Sequence, residues 1–370
     1  MRATEDDMLR AAVGDLAGEA RGVPDLADRA LRRGRQLRRR RRGTAVVGAF
    51  VALTGLTAPF LLLRPGPPAG TAAWNDPVVP VVSVAPAPTG DWTRSRLPLP
   101  GGWVLAGATS TGTPAETAYA LDRTRNRYLA VDTYEQVWAP PQGRTAVVVD
   151  EDRRGSTGLL DIATGSVRWV DTGSSILDPH WSPDGQRLVV TILDKDTAQF
   201  SMGVLTARTG TYQTFPVDIA SRYLCTDYCF FTWTRDGQEV VLQQTDPGAP
   251  RSESAPHPRR GVQLFSPDTG QPTRFLPVPG DPAGPWSWSP DGQLVVIKGR
   301  DGPQIAEVAT GQVLGAAPAE HAAWVSDDRL LYRDLQANEM VLADRDGRDL
   351  ARQALPRELG ANMVLTISPD

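Results

Sequence analysis

The chain has 370 residues, 41% hydrophobic and 22% charged, which excludes a disordered polymer and leaves room for one large folded domain plus extras. The net charge of -4 is unevenly spread: 12 of the 39 basic and 7 of the 43 acidic residues fall within residues 1–43, leaving 27 basic against 36 acidic beyond. That acidic bulk argues against a nucleic-acid partner, and 35 Gly with 32 Pro favour short strands and tight turns over long helices.

From the N-terminus, residues 1–43 read as a basic cytoplasmic segment. Met8, Leu9, Ala12, Val13, Leu16 and Ala20 form an apolar stripe at helical spacing within residues 4–20, and Asp25 to Arg42, after Pro24, can form a second helix. Residues 32–42 (RRGRQLRRRRR) hold eight Arg immediately before an uncharged run, Thr44 to Leu63. About 20 residues at about 1.5 Å each match the hydrocarbon thickness of a bilayer, so residues 44–63 are predicted to be a transmembrane helix. The Arg excess on one side places the N-terminus in the cytoplasm and the C-terminal domain outside, in a single-pass membrane protein. The alternative is a cleaved secretory signal with Ala69, Ala72 and Ala73 near the cleavage site, although the apolar core is longer than such signals use. Residues 64–91, rich in Pro and small residues and without periodicity, read as an extended stalk.

Residues 92–370 are dominated by an internal repeat. HWSPDGQRLVVT at 180, TWTRDGQEVVLQ at 232 and SWSPDGQLVVIK at 287 are close copies, with weaker ones at 137 and 323. In each, an apolar strand ending in Trp runs into a Ser-Pro-Asp-Gly turn and a second apolar strand, the pattern of a hairpin. A second turn follows each copy, centred on Gly165, Gly210, Gly270, Gly311 and Gly347. Two hairpins make a four-stranded unit, and the Trp spacings bracket the length of a propeller blade. A β-sandwich also strings short strands on turns, but it does not repeat one motif at blade length.

The Trp-Ser-Pro-Asp-Gly hairpin followed by Asp-x-x-Thr-Gly resembles the TolB-like and WD-type β-propeller repeats. This resemblance implies an all-β propeller and names no ligand. Between Trp103 and Asp132 the first unit supplies three strands, whereas Met363 to Ser368 repeats the first half of a unit and stops. Pairing of this last segment as the inner strand of the first unit closes a ring of six blades. Seven would require Leu97 to Thr109 to build most of a further unit.

Within such a ring the long insertions, Pro216 to Phe230, Thr245 to Gly261 and Val278 to Pro285, fall on one face. They nominate Arg222, Tyr223, Asp227, Tyr228, Arg251, His257, Arg259 and Arg260 as ligand-binding residues. Cys225 and Cys229, the only cysteines, are expected to form a local disulfide outside the cell. His180, His257 and His321 are scattered, so no metal site and no cofactor is expected. The acidic turn residues Asp344, Asp346 and Asp349 fit an ordinary turn better than calcium. No nucleophile elbow is present, and the chain is expected not to be an enzyme. The leading expectation is an extracytoplasmic binding or scaffolding propeller for a protein or cell-envelope polymer. A second is a transmembrane regulator laid out like a membrane-bound anti-sigma factor, with residues 1–42 holding a cytoplasmic regulator.

Overall fold

In the computed structural model, which describes residues 82–111, 117–153, 155–173, 176–193, 200–217, 229–249 and 257–370, the repeats form six sheets. Two short pieces come first, β1 (Val84–Ala85) and β2 (Pro98–Leu99). Blade one then takes β3 (Trp103–Ser110), β4 (Ala118–Asp122) and β5 (Arg127–Val131). Blade two is β6 (Gln136–Trp138), β7 (Thr145–Val149), β8 (Ser156–Asp161) and β9 (Val167–Asp171). Blade three is β10 (Ile176–Trp181), β11 (Arg187–Leu193), β12 (Phe200–Thr206) and β13 (Thr211–Pro216). Blade four is β14 (Thr232–Trp233), β15 (Val240–Thr245), β16 (Arg259–Phe265) and β17 (Pro272–Leu276). Blade five is β18 (Leu294–Gly299), β19 (Gly302–Glu307) and β20 (Val313–Ala316). Blade six is β21 (Ala323–Ser326), β22 (Arg329–Asp334), β23 (Glu339–Asp344) and β24 (Asp349–Ala354), and β25 (Met363–Pro369) ends the order.

The turn chemistry is what the repeat requires. In three successive blades the Ser or Thr hydroxyl donates to the Asp two residues on: Ser182 to Asp184 at 2.5 Å, Thr234 to Asp236 at 2.6 Å and Ser289 to Asp291 at 2.6 Å. The same carboxylates accept the backbone N–H groups of Gln186, Gln238 and Gln293. Gly185 sits at φ +65°, and a Cβ there would lie 1.9 Å from the Gln142 carbonyl oxygen, so the turn admits only glycine. The recurring Trp joins neighbouring blades. Trp181 Nε1 donates to the Trp138 carbonyl at 3.0 Å and Trp233 Nε1 to the His180 carbonyl at 2.9 Å. Further round the ring Arg235 takes over, donating from one Nη1 to the carbonyls of Trp288 at 2.9 Å and Trp324 at 3.0 Å.

Apolar residues from adjacent blades fill six seams. Val147 and Leu159 of blade two meet Trp181 and Leu188 of blade three, and Leu331 and Met340 of blade six meet Val104 and Leu105 of blade one. The last seam closes as the repeat count demands: β25 pairs antiparallel with β3 from Met363↔Ser110 to Pro369↔Trp103 and is the inner strand of blade one. Arg333 of blade six fastens the start of this strand, donating to the carbonyls of Met363 at 2.7 Å and Gly360 at 2.8 Å, and to that of Leu359. Arg123 holds its far end, donating to Ser368 Oγ at 2.6 Å and to the Pro141 carbonyl of blade two at 2.7 Å.

Three features depart from the sequence reading. Blade five has no full inner strand: its place is taken by the 3-10 turn Pro285–Ser287 and a single bridge, Trp288↔Val295, because Pro285 lacks the N–H that a ladder needs. The expected stalk is partly propeller, since β1 adds parallel to the outer strand of blade six through Val84↔Arg352 and Ala85↔Gln353. That pairing covers a sheet edge that would otherwise lie open. Trp92, Leu97 and Leu99 then fill the seam between blades six and one, with Trp92 lying 4.8 Å from the Tyr119 ring and 4.9 Å from Tyr128. The chain divides into two units, residues 1–78 and 79–370, where the sequence placed the boundary at residue 92. The expected helices of residues 1–43, the expected span 44–63 and most of the stalk lie outside the described residues. Among the described residues no helix is long and apolar enough to cross a membrane.

Candidate ligand-binding face

Counting strands A to D outward in each blade, the A–B and C–D turns share one face and the B–C and D–A connections the other. The first set is uniformly short. The second includes the connections between β13 and β14 and between β15 and β16, the longest in the ring, and residues 277–284, which lead from β17 to the 3-10 turn of blade five, all bordering blade four.

The nominated residues fare differently. Arg222, Tyr223, Asp227, Tyr228, Arg251 and Cys225 lie outside the described residues. Arg259 has a structural role: its side chain is 4% exposed and grips Asp281 with both edges of the guanidinium, Nε at 2.6 Å and Nη2 at 3.0 Å. Its Nη1 donates to Thr245 Oγ1 at 3.1 Å. Because Asp281 bridges to Lys298 through two main-chain hydrogen bonds, this ion pair ties blade four to blade five, and the Arg259 charge is neutralised inside the fold. Arg260 remains exposed, with its guanidinium 5.3 Å above the Phe275 ring and Nε bonded to Gln244 at 2.9 Å. His257 is half-buried at the loop's end. Cys229 packs against the core that contains Phe231, Trp233 and Met202, and no free cysteine is present among the described residues.

Residues the sequence did not nominate lie on the inner strands or just before them. His180, on the inner strand of blade three, stacks on Phe230 with ring centroids 5.1 Å apart and planes 9° from parallel. Phe230 ends the insertion before blade four, and its N–H donates to Gln243 Oε1 at 3.4 Å. His321 precedes the inner strand of blade six, the blade opposite, beside the Lys298–Glu320 ion pair at 3.0 Å. Enclosure pushes the His180 imidazole down to about 4, and His321 adds to the shift. His321 is lowered too, mainly by desolvation and further by Lys298, with Glu320 opposing. No sequence signal marked His180, because the motif it precedes explains the position as an ordinary strand residue.

A histidine depressed in the folded state binds its proton first in the unfolded chain, so its contribution is complete above about pH 6.5 and falls as the pH drops towards 4. The expected loss is on the order of 2 kcal/mol, below full conversion of the shift because the ring keeps some contact with solvent. Urea midpoints at pH 7 and pH 4.5 check this: His180→Phe, which keeps the stack on Phe230, should narrow the difference between them. An unchanged difference would assign it to other groups.

The sheets and their closure define a six-bladed β-propeller with its long loops on one face. No family model and no curated protein matches the chain. Similar solved structures include TolB from Acinetobacter baumannii, 16% identical, covering 72% of this chain and 66% of that one at a TM-score of 0.42. A TolB from Agrobacterium tumefaciens is 17% identical over 71% of this chain and 98% of that one, with a TM-score of 0.38. The dihydro-heme d1 dehydrogenase NirN is 15% identical over 77% of this chain and 61% of that one, with a TM-score of 0.39. The chain spans under two thirds of the length of the first and third, and likeness at this level carries no function. The third does correct one expectation: an enzyme stands among the neighbours, so the reading that this chain is not an enzyme does not stand on its architecture.

Proposed function

We propose that the chain is a membrane-tethered propeller that binds a protein or envelope polymer outside the cell through its long-loop face. The observation that carries this is the grouping of long connections around blade four, on one face of the ring. The uncharged run 44–63 behind eight Arg supplies the anchor. A bridge between Cys225 and Cys229 would fix the end of the first long loop against the core on which Cys229 packs.

The test uses the full chain in its membrane, with photo-cross-linkers replacing His257 or Arg260 on the loop face and Gln186 on the tight-turn face. Cross-links to a partner from the first two positions alone, lost when residues 250–256 are deleted, are the expected result. Equal labelling from Gln186, or protease added to intact cells reaching residues 1–43 in preference to the propeller, would overturn the reading. So would two free thiols, for the bridge alone.

A further inference from the structure

On the opposite, tight-turn face, the seam between blades two and three opens into a cleft of about 570 Å3 lined by Arg144, Arg168, Arg208, Asp161, Ser166 and Gln186. Its three guanidinium groups share one carboxylate. Arg144 pairs with Asp161 at 3.0 Å. Burial pushes that carboxyl upward, but the Thr164 N–H, Arg144 and the Thr164 hydroxyl outweigh it and hold the group below its ordinary range. Arg168 reaches across the seam and donates only to main-chain carbonyls, those of Thr209 at 2.7 Å, Ala207 at 3.2 Å and Arg208 at 3.4 Å. Arg208 is exposed and has no carboxylate partner among the described residues.

In a chain whose basic residues are almost all Arg, their number means little, but the repeat supplies its own control. One seam further on, Asp268 occupies the place of Arg208, two residues before the turn glycine, and pairs with Arg187 of blade three at 3.2 Å. The counterpart of Arg187 in blade two is Thr145, as the registers Arg187↔Thr206 and Thr145↔Asp161 show. One seam is thus balanced across its gap, whereas the other sets an Arg against an uncharged Thr. This excess of two positive charges stands out on an acidic body.

We propose that this cleft binds a phosphoryl dianion, as free phosphate or as the phosphate of a small organic molecule. A phosphate monoester carries about -1.5 to -2 near pH 7, which matches the excess, and the planar fork of Arg208, beside the charge of Arg168, suits its oxygens. The Thr145 hydroxyl and the Ser166 hydroxyl lie in the same lining as further donors.

The test is calorimetric titration of the full chain with inorganic phosphate and with glycerol phosphate, at ionic strength held constant with sodium chloride. Saturable binding at one site is expected. Arg208→Asp, which installs the residue that the equivalent turn of blade four carries, should weaken it at least tenfold with an unchanged melting curve. Arg187→Gln in the neighbouring seam should leave the affinity unchanged. Tighter binding of glycerol phosphate assigns an organic phosphate, and equal binding assigns the free ion. No saturable heat, or equal affinity in Arg208→Asp, overturns the proposal.

Discussion

Removing residues 363–370 is expected to abolish the cooperative fold. β3 is buried at all eight of its positions, and β25 covers it over its whole length. Without β25 the inner edge of blade one loses its ladder, and the buried groups of Leu105 and Thr109 lose their surroundings. At about 1 kcal/mol net per backbone hydrogen bond, plus the apolar area of Met363 and Ile367, the loss approaches the roughly 5–15 kcal/mol that holds a typical domain together. A milder variant separates closure from simple shortening. Arg333→Met keeps the strand but strips the donors from the carbonyls of Leu359, Gly360 and Met363 and from Asn338 Oδ1 at 2.9 Å. With hydrogen bonds to charged groups worth about 1.5–3 kcal/mol each, and some of these carbonyls regaining water, a loss of about 3 kcal/mol in urea unfolding is expected. A truncated chain that melts in one transition near the full-length midpoint would show that the ring is held elsewhere.

Breaking the Arg259–Asp281 pair should be nearly as damaging. Arg259→Met leaves the Asp281 carboxylate, 16% exposed, without the bidentate guanidinium and releases the loop that joins blades four and five. Loss of one partner from a buried pair costs about 3–5 kcal/mol, chiefly because the remaining charge is stranded. The double variant Arg259→Met with Asp281→Leu should recover most of it, since the penalty belongs to the orphaned charge. Denaturant unfolding of the two single variants and the double variant gives the coupling directly. A double variant as unstable as the sum of the singles would mean that the two side chains act independently.

The sequence carried the parts of the fold whose chemistry is local. The Ser-Pro-Asp-Gly turn needs only residues 182–187 to make its hydrogen bonds, so it could be read as a hairpin wherever it occurred. The closing strand was legible for a different reason: the first unit lacked one strand, and Met363 to Ser368 supplied it. The addition of β1 to blade six was hidden because a Pro-rich stretch has no period, and its only partner is an edge more than 260 positions away, at Arg352. The ion pair of Arg259 was hidden for a similar reason. Its position in a long loop suggested a ligand, while the carboxylate that claims it lies 22 residues on, in the connection to the next blade. The cleft at Arg208 was readable in principle, by aligning the second turns and asking which charge each one faces.

The inner strand of blade one comes from the far end of the repeat array, and this has a kinetic consequence during synthesis. The Thr111 hydroxyl donates to the Asn362 carbonyl at 2.8 Å across 251 positions of sequence, so blade one stays unfinished on the ribosome until every other blade has been made. Contacts of such long range are slow to form, and until they do β3 presents an apolar strand edge to its surroundings. The nascent chain therefore passes through a long interval in which its first blade needs shielding from other chains. In a refolding experiment the cooperative native state should lag behind the appearance of β-structure.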